Sequence, residues 1–190
     1  PLNKKISDIV IEVFKDENLG SKNNIWEQYD HMISRNVISK MGGNASIIKT
    51  NSGKQAIAVT TDCNIYYCEA SPFDGSVQAI AESYRNLISV GAKPLAITNC
   101  LNFGNPEKKS VMGQFVETIR GMKYASETLE LPIVSGNVSF YNETNDIGIP
   151  PTPQIGAVGL INNYEKTTSL RSFSINDSLY LIGKTDGHLS

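Results

Sequence analysis

Residues 134–145 read VSGNVSFYNETN. Val134 ends an apolar run, and Ser135, Gly136, Asn137, Ser139, Asn142, Glu143, Thr144 and Asn145 follow it. No His, Cys or Lys stands among them, so the chemistry open to the stretch is that of amides, hydroxyls and bare backbone. A glycine such as Gly136 lets a backbone N–H approach an anionic oxygen with no Cβ in the way. The amide oxygen of Asn137 suits Mg²⁺, a hard cation that takes oxygen ligands and keeps several waters. The Ser139 hydroxyl can donate to a phosphate or a substrate amide. A turn whose Asn and Ser side chains bond their own backbone has the same composition, and these residues alone leave both readings open.

Two further polar stretches follow apolar strand patterns: TTDCNIYYC at 60–68 and TNCLNFGNPE at 98–107. In an α/β sheet the crevice beyond the strand ends is the usual ligand site, so folding would bring the three together. Gly104 and Pro106 argue for a tight loop steadied by Asn102 and Asn105, with Phe103 packed inward. Asp62, beside Thr60 and Thr61, fits either a metal role or a hydrogen-bonded turn. Arg85 can bind phosphate or pair with Glu82 three residues earlier. His31 and His188 read as surface or packing residues, and Trp26, Tyr66 and Tyr67 as core or interface. The sequence carries no phosphate-binding Walker loop, no GxGxxG, no CxxC and no Ser/His/Asp set.

The elements that must position these groups follow from periodicity. Residues 3–17 place Ile6, Val10, Val13 and Phe14 on one helical face; Gly20 closes that helix, and Ser21 and Asn23 can cap a second one through Trp26 and Tyr29. ASIIKT and AIAVTT are strands joined by Asn51-Ser52-Gly53-Lys54, a hairpin signal. Residues 76–90 form a helix with Val77, Ile80, Ala81, Tyr84, Leu87 and Ile88 inward, capped by Gly91 and barred from continuing by Pro94. LAITNC is the next strand. Residues 109–129 form a helix with Val111, Phe115, Ile119, Met122 and Leu129 on its face. LPIVS reads as a buried strand and PQIGAVGLI as another. The order β-β-α-β-α-β-β predicts an α/β fold in which helices cover one side of a mixed sheet.

Composition is that of an ordinary globular protein, with 40% hydrophobic and 19% charged residues. A net charge of −2 offers no basic footprint for nucleic acid or an anionic membrane, and no apolar run approaches a bilayer span. Three cysteines, Cys63, Cys68 and Cys100, read as reduced and point to the cytoplasm. The chain opens on Pro1-Leu2, and an apolar strand pattern, Leu179 to Ile182, leads into a Gly-containing turn near its end; the expectation is a piece of a longer protein.

TTDCN, AIAESYRNLISVGAKPLAITNCLNFGNPE, PIVSGNVSFYNET and PTPQIGAVGLI, in this order and spacing, closely resemble phosphoribosylformylglycinamidine synthase, of the ATP-dependent, AIR-synthase-related superfamily. The match runs from about Tyr29 through Ile161 and fits the second half of a long chain built from two related halves. The resemblance implies a helical segment over 1–28, an N-type α/β domain over 29–163, and a linker with the first strand of a C-type domain over 164–190. It implies formation of an amidine from formylglycinamide ribonucleotide: ATP activates the amide oxygen, and ammonia from a glutaminase partner displaces phosphate. Position by position, Asn99 and Gly136 resemble ATP contacts, Asn137 the Mg²⁺ ligand and Ser139 a substrate contact. The family has Asp where Asn99 stands, and commonly where Asn44 stands in GGNAS. Its catalytic His motif belongs to the first half, so no catalytic residue falls in this segment and the first half is a required partner. A homodimer through the uncovered sheet face, exposing Ile47, Ile57 and Val59 otherwise, is the further expectation. The competing readings are another ATP-dependent relative, such as aminoimidazole ribonucleotide synthetase or selenophosphate synthetase, and a non-catalytic association module.

Overall fold

The computed structural model describes residues 4–28, 36–39, 42–169 and 173–183; His31, His188 and the expected domain start at Tyr29 lie outside them. The chain divides into two compact units, Pro1–Arg35 and Asn36–Ser190. The first holds α1 (Ile6–Lys15) and the short α2 (Asn23–Trp26). Gly20 N–H bonds back to the Asp16 carbonyl at 2.9 Å, the stop expected after α1. The predicted face of Ile6, Val10, Val13 and Phe14 is exposed, and α1 has no buried residue.

The second unit is built on one five-stranded sheet in the order β1-β2-β7-β3-β4. Its strands are β1 (Ser46–Lys49), β2 (Ala56–Asp62), β3 (Lys93–Asn102), β4 (Ile133–Ser139) and β7 (Thr152–Ile161). A separate ribbon pairs β5 (Glu143–Thr144) with β6 (Ile147–Gly148). Only β3 and β4 run parallel among the five; the other neighbours are antiparallel, and β7 lies between β2 and β3. Gly53 takes φ 61° in the β1–β2 turn, a backbone shape that favours glycine.

Helices α3 (Ile65–Ala70), α4 (Pro72–Ser89) and α5 (Lys109–Thr128) complete the unit. Alternation puts Ile47, Ala56, Ala58, Ile97, Leu101, Ile155, Ala157 and Ile161 into the core with Ile80 and Leu87 of α4, as a sheet covered on one face requires. Helices α4 and α5 meet where Phe73 and Ser76 of α4 face Thr118 and Gly121 of α5, with Ser76 Oγ donating to the Thr118 carbonyl at 3.1 Å. A Cβ on Gly121 would lie 2.3 Å from the Phe73 carbonyl oxygen, so the close crossing demands its hydrogen.

Several expectations are corrected. Ile47 faces the core at 3% exposure, and its neighbour Ile48 is the exposed one at 38%; both are apolar, and the pairing of Ile47 with buried Ala58 sets the face. The stretch at 60–68 is no loop: β2 runs to Asp62 and α3 begins at Ile65, with Asn64 Oδ1 accepting from the N–H groups of Tyr66 and Tyr67 at 3.1 and 3.3 Å. Tyr66 is consequently exposed rather than core. Ile88 and Ile119, expected inward, are exposed at 48% and 39%. The strand expected at LPIVS is not buried: β4 is the sheet's edge, and it continues through the polar residues to Ser139. Hydrogen bonding to β3 holds it extended, while neither face is covered enough to require an apolar alternation. Leu179 to Ile182 forms no strand with any described residue and is fully exposed. Among the described residues no helix is long and apolar enough to cross a membrane.

Candidate functional site

The parallel pair β3–β4 carries the expected residues. Asn99 pairs with Gly136, Cys100 with Asn137 and Asn102 with Ser139. Asn99 lies between Ile97 and Leu101, which are buried, so it and Gly136 belong to the helix-covered face. There, Asp62 of β2, Ile155 of β7, Asn99 and Gly136 stand in one row. Asn137 and Ser139 fall on the opposite, open face beside Cys100 and Asn102. The four expected residues are thus neighbours along two strands but divide between two faces, which meet only around the free edge of β4.

Gly136 is glycine for a local reason. A Cβ there would stand 2.2 Å from Asn99 Oδ1, because the Asn99 amide lies across the glycine. Phe103 N–H donates to the Ser139 carbonyl at 3.0 Å, so Ser139 turns its backbone groups toward β3. Alternating back along the strand, Gly136 turns its own N–H and C=O to the open edge. Bare, unpaired backbone beside an amide is a feature that can receive an anionic oxygen. Asn137 is exposed, with Nδ2 4.0 Å from Cys100 Sγ and its oxygen left to other partners.

Two polar loops are fastened together beyond these strands. Asn142 Nδ2 donates to the carbonyls of Phe103 and Ser139, each at 3.0 Å. Tyr141 N–H donates to the Gly104 carbonyl at 2.9 Å, and the position of a Cβ on Gly104 lies 3.2 Å from Gly148 Cα. Lys108 Nζ bonds Glu143 Oε2 at 2.9 Å and the Asp146 carbonyl at 2.9 Å, tying the β5–β6 ribbon to the start of α5. Beneath, Phe103, Phe115 and Phe140 form an aromatic cluster; Phe115 meets the other two edge-on at 5.3 and 5.2 Å. Phe103 is fully buried, as its sequence context suggested.

Asp62 is held by side chains. Its Oδ2 accepts from Thr60 Oγ1 and Ser83 Oγ, each at 2.8 Å, and Oδ1 accepts from Asn86 Nδ2 at 2.8 Å. Ser83 and Asn86, spaced i,i+3 on α4, escaped the sequence reading; that spacing opposite a strand-end carboxylate was the available signal. Asn44 Nδ2 donates to Ser89 Oγ at 2.9 Å, and Ser89 Oγ to the Asn86 carbonyl at 2.8 Å. Asn44, Asp62, Glu82 and Asn86 line a polar recess of about 360 Å³. Partial burial, then the nearby Asp62, raises the Glu82 carboxyl above its ordinary value, with exposed Arg85 opposing them. A larger cavity of about 510 Å³ adjoins Gly42–Ala45, Val90 and Thr168, and none of the four expected residues lines it. The neighbouring Cys68 thiol lowers the Cys63 pKa, while the interaction with Cys63 and burial push the Cys68 thiol up. Among the described residues no cluster of three His, Cys, Asp or Glu forms a metal site.

Comparison with known proteins supplies the lineage. Residues 42–161 match the family model "AIR synthase related protein, N-terminal domain". The chain is 49% identical over 184 residues to phosphoribosylformylglycinamidine synthase subunit PurL of Azorhizobium caulinodans, covering 97% of this chain and 25% of that protein. It is 49% identical over 185 residues to the subunit of the same name from Pelagibacter ubique, again covering 97% of this chain and 25% of the relative. It spans about a quarter of the length of these curated relatives. Among solved structures, Thermotoga maritima PurLQS aligns with a TM-score of 0.73 at 32% identity over 78% of this chain and 25% of that one. T. maritima PurL complexed with ATP aligns with a TM-score of 0.69 at 30% identity, over 78% of this chain and 24% of that one. The family match and the structural alignments thus point the same way, and the chain belongs to the AIR synthase related proteins, carrying their N-terminal domain.

Proposed function

We propose that this chain is part of a phosphoribosylformylglycinamidine synthase of the PurL type, which converts formylglycinamide ribonucleotide to its amidine with ATP and ammonia. The observation that carries the reading is the register of β3 and β4, which sets Asn99 over Gly136 and turns the Gly136 backbone to an open edge. The likeness to PurL relatives, and to T. maritima PurL complexed with ATP and with FGAR, supports it.

In this reading the edge backbone of Gly136 and the Asn99 amide receive ATP. Ser139, around the strand edge, donates to the formylglycinamide substrate. Asn137 fits Mg²⁺ as one neutral, exposed oxygen donor of a cation that keeps waters and shares phosphate oxygens. Bound there, Mg²⁺ would neutralise phosphate charge. The protein's own contribution is placement: fixed amide and backbone dipoles aimed where negative charge develops. None of these residues is a nucleophile or base, so proton handling belongs to the other half of the longer protein. A glutaminase subunit or domain supplies ammonia, consistent with the likeness to the T. maritima PurLQS structure. The cytoplasm is the compartment this reading implies. It also takes 29–163 as the N-type domain and 164–190 as the lead into a C-type domain.

Asn137→Ala in the full-length protein tests the metal assignment. The expected outcome is weaker activity and a raised Mg²⁺ requirement with a nearly unchanged melting temperature. Unaltered metal dependence with stability lowered by about 1 kcal/mol would instead make Asn137 a structural residue.

A further inference from the structure

We infer that Asn142 is a positioning residue that sets the orientation of the Ser139 hydroxyl; the inference rests on the reading of Ser139 as a substrate contact. Asn142 Nδ2 has two hydrogens and three acceptors within reach: the Phe103 carbonyl at 3.0 Å, the Ser139 carbonyl at 3.0 Å and Ser139 Oγ at 3.1 Å. The carbonyls can only accept, whereas the Ser139 hydroxyl can donate to Asn142 Oδ1, so giving both hydrogens to the carbonyls satisfies every group. The Ser139 hydroxyl then keeps its own proton to donate, with Asn142 Oδ1 at 3.3 Å its long resting acceptor. A hydroxyl held by a long bond gives it up readily to a better acceptor, which is what a substrate amide oxygen offers.

The amide itself cannot turn. Asn142 N–H also donates to the Phe103 carbonyl at 3.2 Å, and its carbonyl accepts from Ile149 N–H at 3.0 Å. Flipping the side chain would aim an oxygen at two carbonyls. Phe103 is fixed in turn by the aromatic cluster, so LNFGN and SGNVSFYN act as one device with Asn142 as its joint. Lys108, which bonds Glu143 next door, steadies the same ribbon without touching Ser139.

The test is a double-mutant cycle in the full-length synthase, read as KM for the formylglycinamide substrate, KM for ATP, and melting temperature. Asn142→Asp keeps the shape and removes the donor; Asn142→Ser is the second variant if the first does not fold. Loss of one oriented hydrogen bond should raise the substrate KM roughly tenfold and leave the ATP KM within about twofold. In a Ser139→Ala background the same Asn142 change should add almost nothing, because its effect travels through the missing hydroxyl. Lys108→Met is the control: it should lower the melting temperature, and its effect on substrate KM should be the same with or without Ser139. If the Asn142 and Ser139 effects multiply, or if both KM values rise together, Asn142 only holds the loop and the inference is overturned. If Ser139→Ala leaves the substrate KM unchanged, the assignment of Ser139 itself fails, and this inference with it.

Discussion

At Gly136 a single hydrogen atom decides the geometry of the neighbouring strand. Any side chain there meets Asn99 Oδ1 at 2.2 Å, yet the obstacle is the far end of a side chain that can rotate away. Gly136→Ala should therefore cost only about 1 kcal/mol, at the low end of overpacking penalties. It should weaken ATP binding in the full-length protein by more than that, since the displaced amide is itself a proposed contact. Pairing it with Asn99→Ala should restore the melting temperature and leave nucleotide affinity, by calorimetry, low. Recovery of both would mean that Asn99 does not contact the nucleotide. Glu82 offers a pH test. Its carboxyl is raised above the ordinary value of 4.5, so the folded state resists its ionisation. Stability is then undiminished below that value and falls as pH rises through the higher folded value. Glu82→Gln should raise the melting temperature at neutral pH and leave it unchanged near pH 4; equal gains at both would refute the sign.

Helix α3 shows how one element organises its neighbours. Asn64 is its N-cap, and Cys63 and Cys68 stand just before the cap and four residues into the helix, the two positions of a hydrophobic staple. That spacing sets the two thiols beside each other, where each shifts the other's titration. With an aromatic disulfide reagent, exposed Cys100 should react first, Cys63 next and fully buried Cys68 only on unfolding. Because its thiolate is favoured by the neighbouring Cys68 thiol, Cys63 should keep reacting at lower pH than it does in a Cys68→Ala variant. A Cys63 rate profile unmoved by that change would rule out the effect of Cys68. Elements with regular alternation were legible in the sequence: burial in β2 and β7 keeps period two, and Gly53 and Gly91 marked turns correctly, whereas Pro94 lies inside β3. Two features were not. In β1 adjacent Ile47 and Ile48 make either face plausible, and only pairing with β2 chooses. In β4 the polar run concealed a strand, because an edge strand's extended shape comes from its partner's hydrogen bonds. Of the proposed site, Asn99, Gly136, Asn137 and Ser139 were named from resemblance of motif. The holders Ser83 and Asn86 were not, since their partner Asp62 lies 21 and 24 residues away, and Asn142 was not, since its bond to Phe103 spans 39 residues.

On the scale of the molecule, the sheet's open face is divided. Toward β3 and β4 it is polar, with Thr98, Cys100, Asn102, Ser135 and Asn137. Toward β1, β2 and β7 it is apolar, with Ile48 paired to Ile57 and Val59 to Val158. Ile48, Ile57 and Val158 are each 37–38% exposed. Contiguous apolar surface of this kind marks an association site. The expected outcome is a homodimer of this chain through that half, seen by sedimentation and little changed by salt. Val59→Asp should shift it to monomer; a monomer at tens of micromolar before any mutation would remove the interface. The division of the face was invisible in the sequence because it depends on which strands are neighbours.

That β7 lies between β2 and β3 has a consequence for how the chain is made. A ribosome releases residues in order, and the strand that joins the two sides of the sheet is the last of the five to emerge. Until then the nascent chain holds a β1–β2 hairpin and a β3–α5–β4 unit with no hydrogen bond between strands to unite them. The two inner edges must stay apart from each other and from neighbouring nascent chains, and the row from Asp62 to Gly136 does not exist. The sheet is therefore completed by an insertion, in which one segment closes two edges at once.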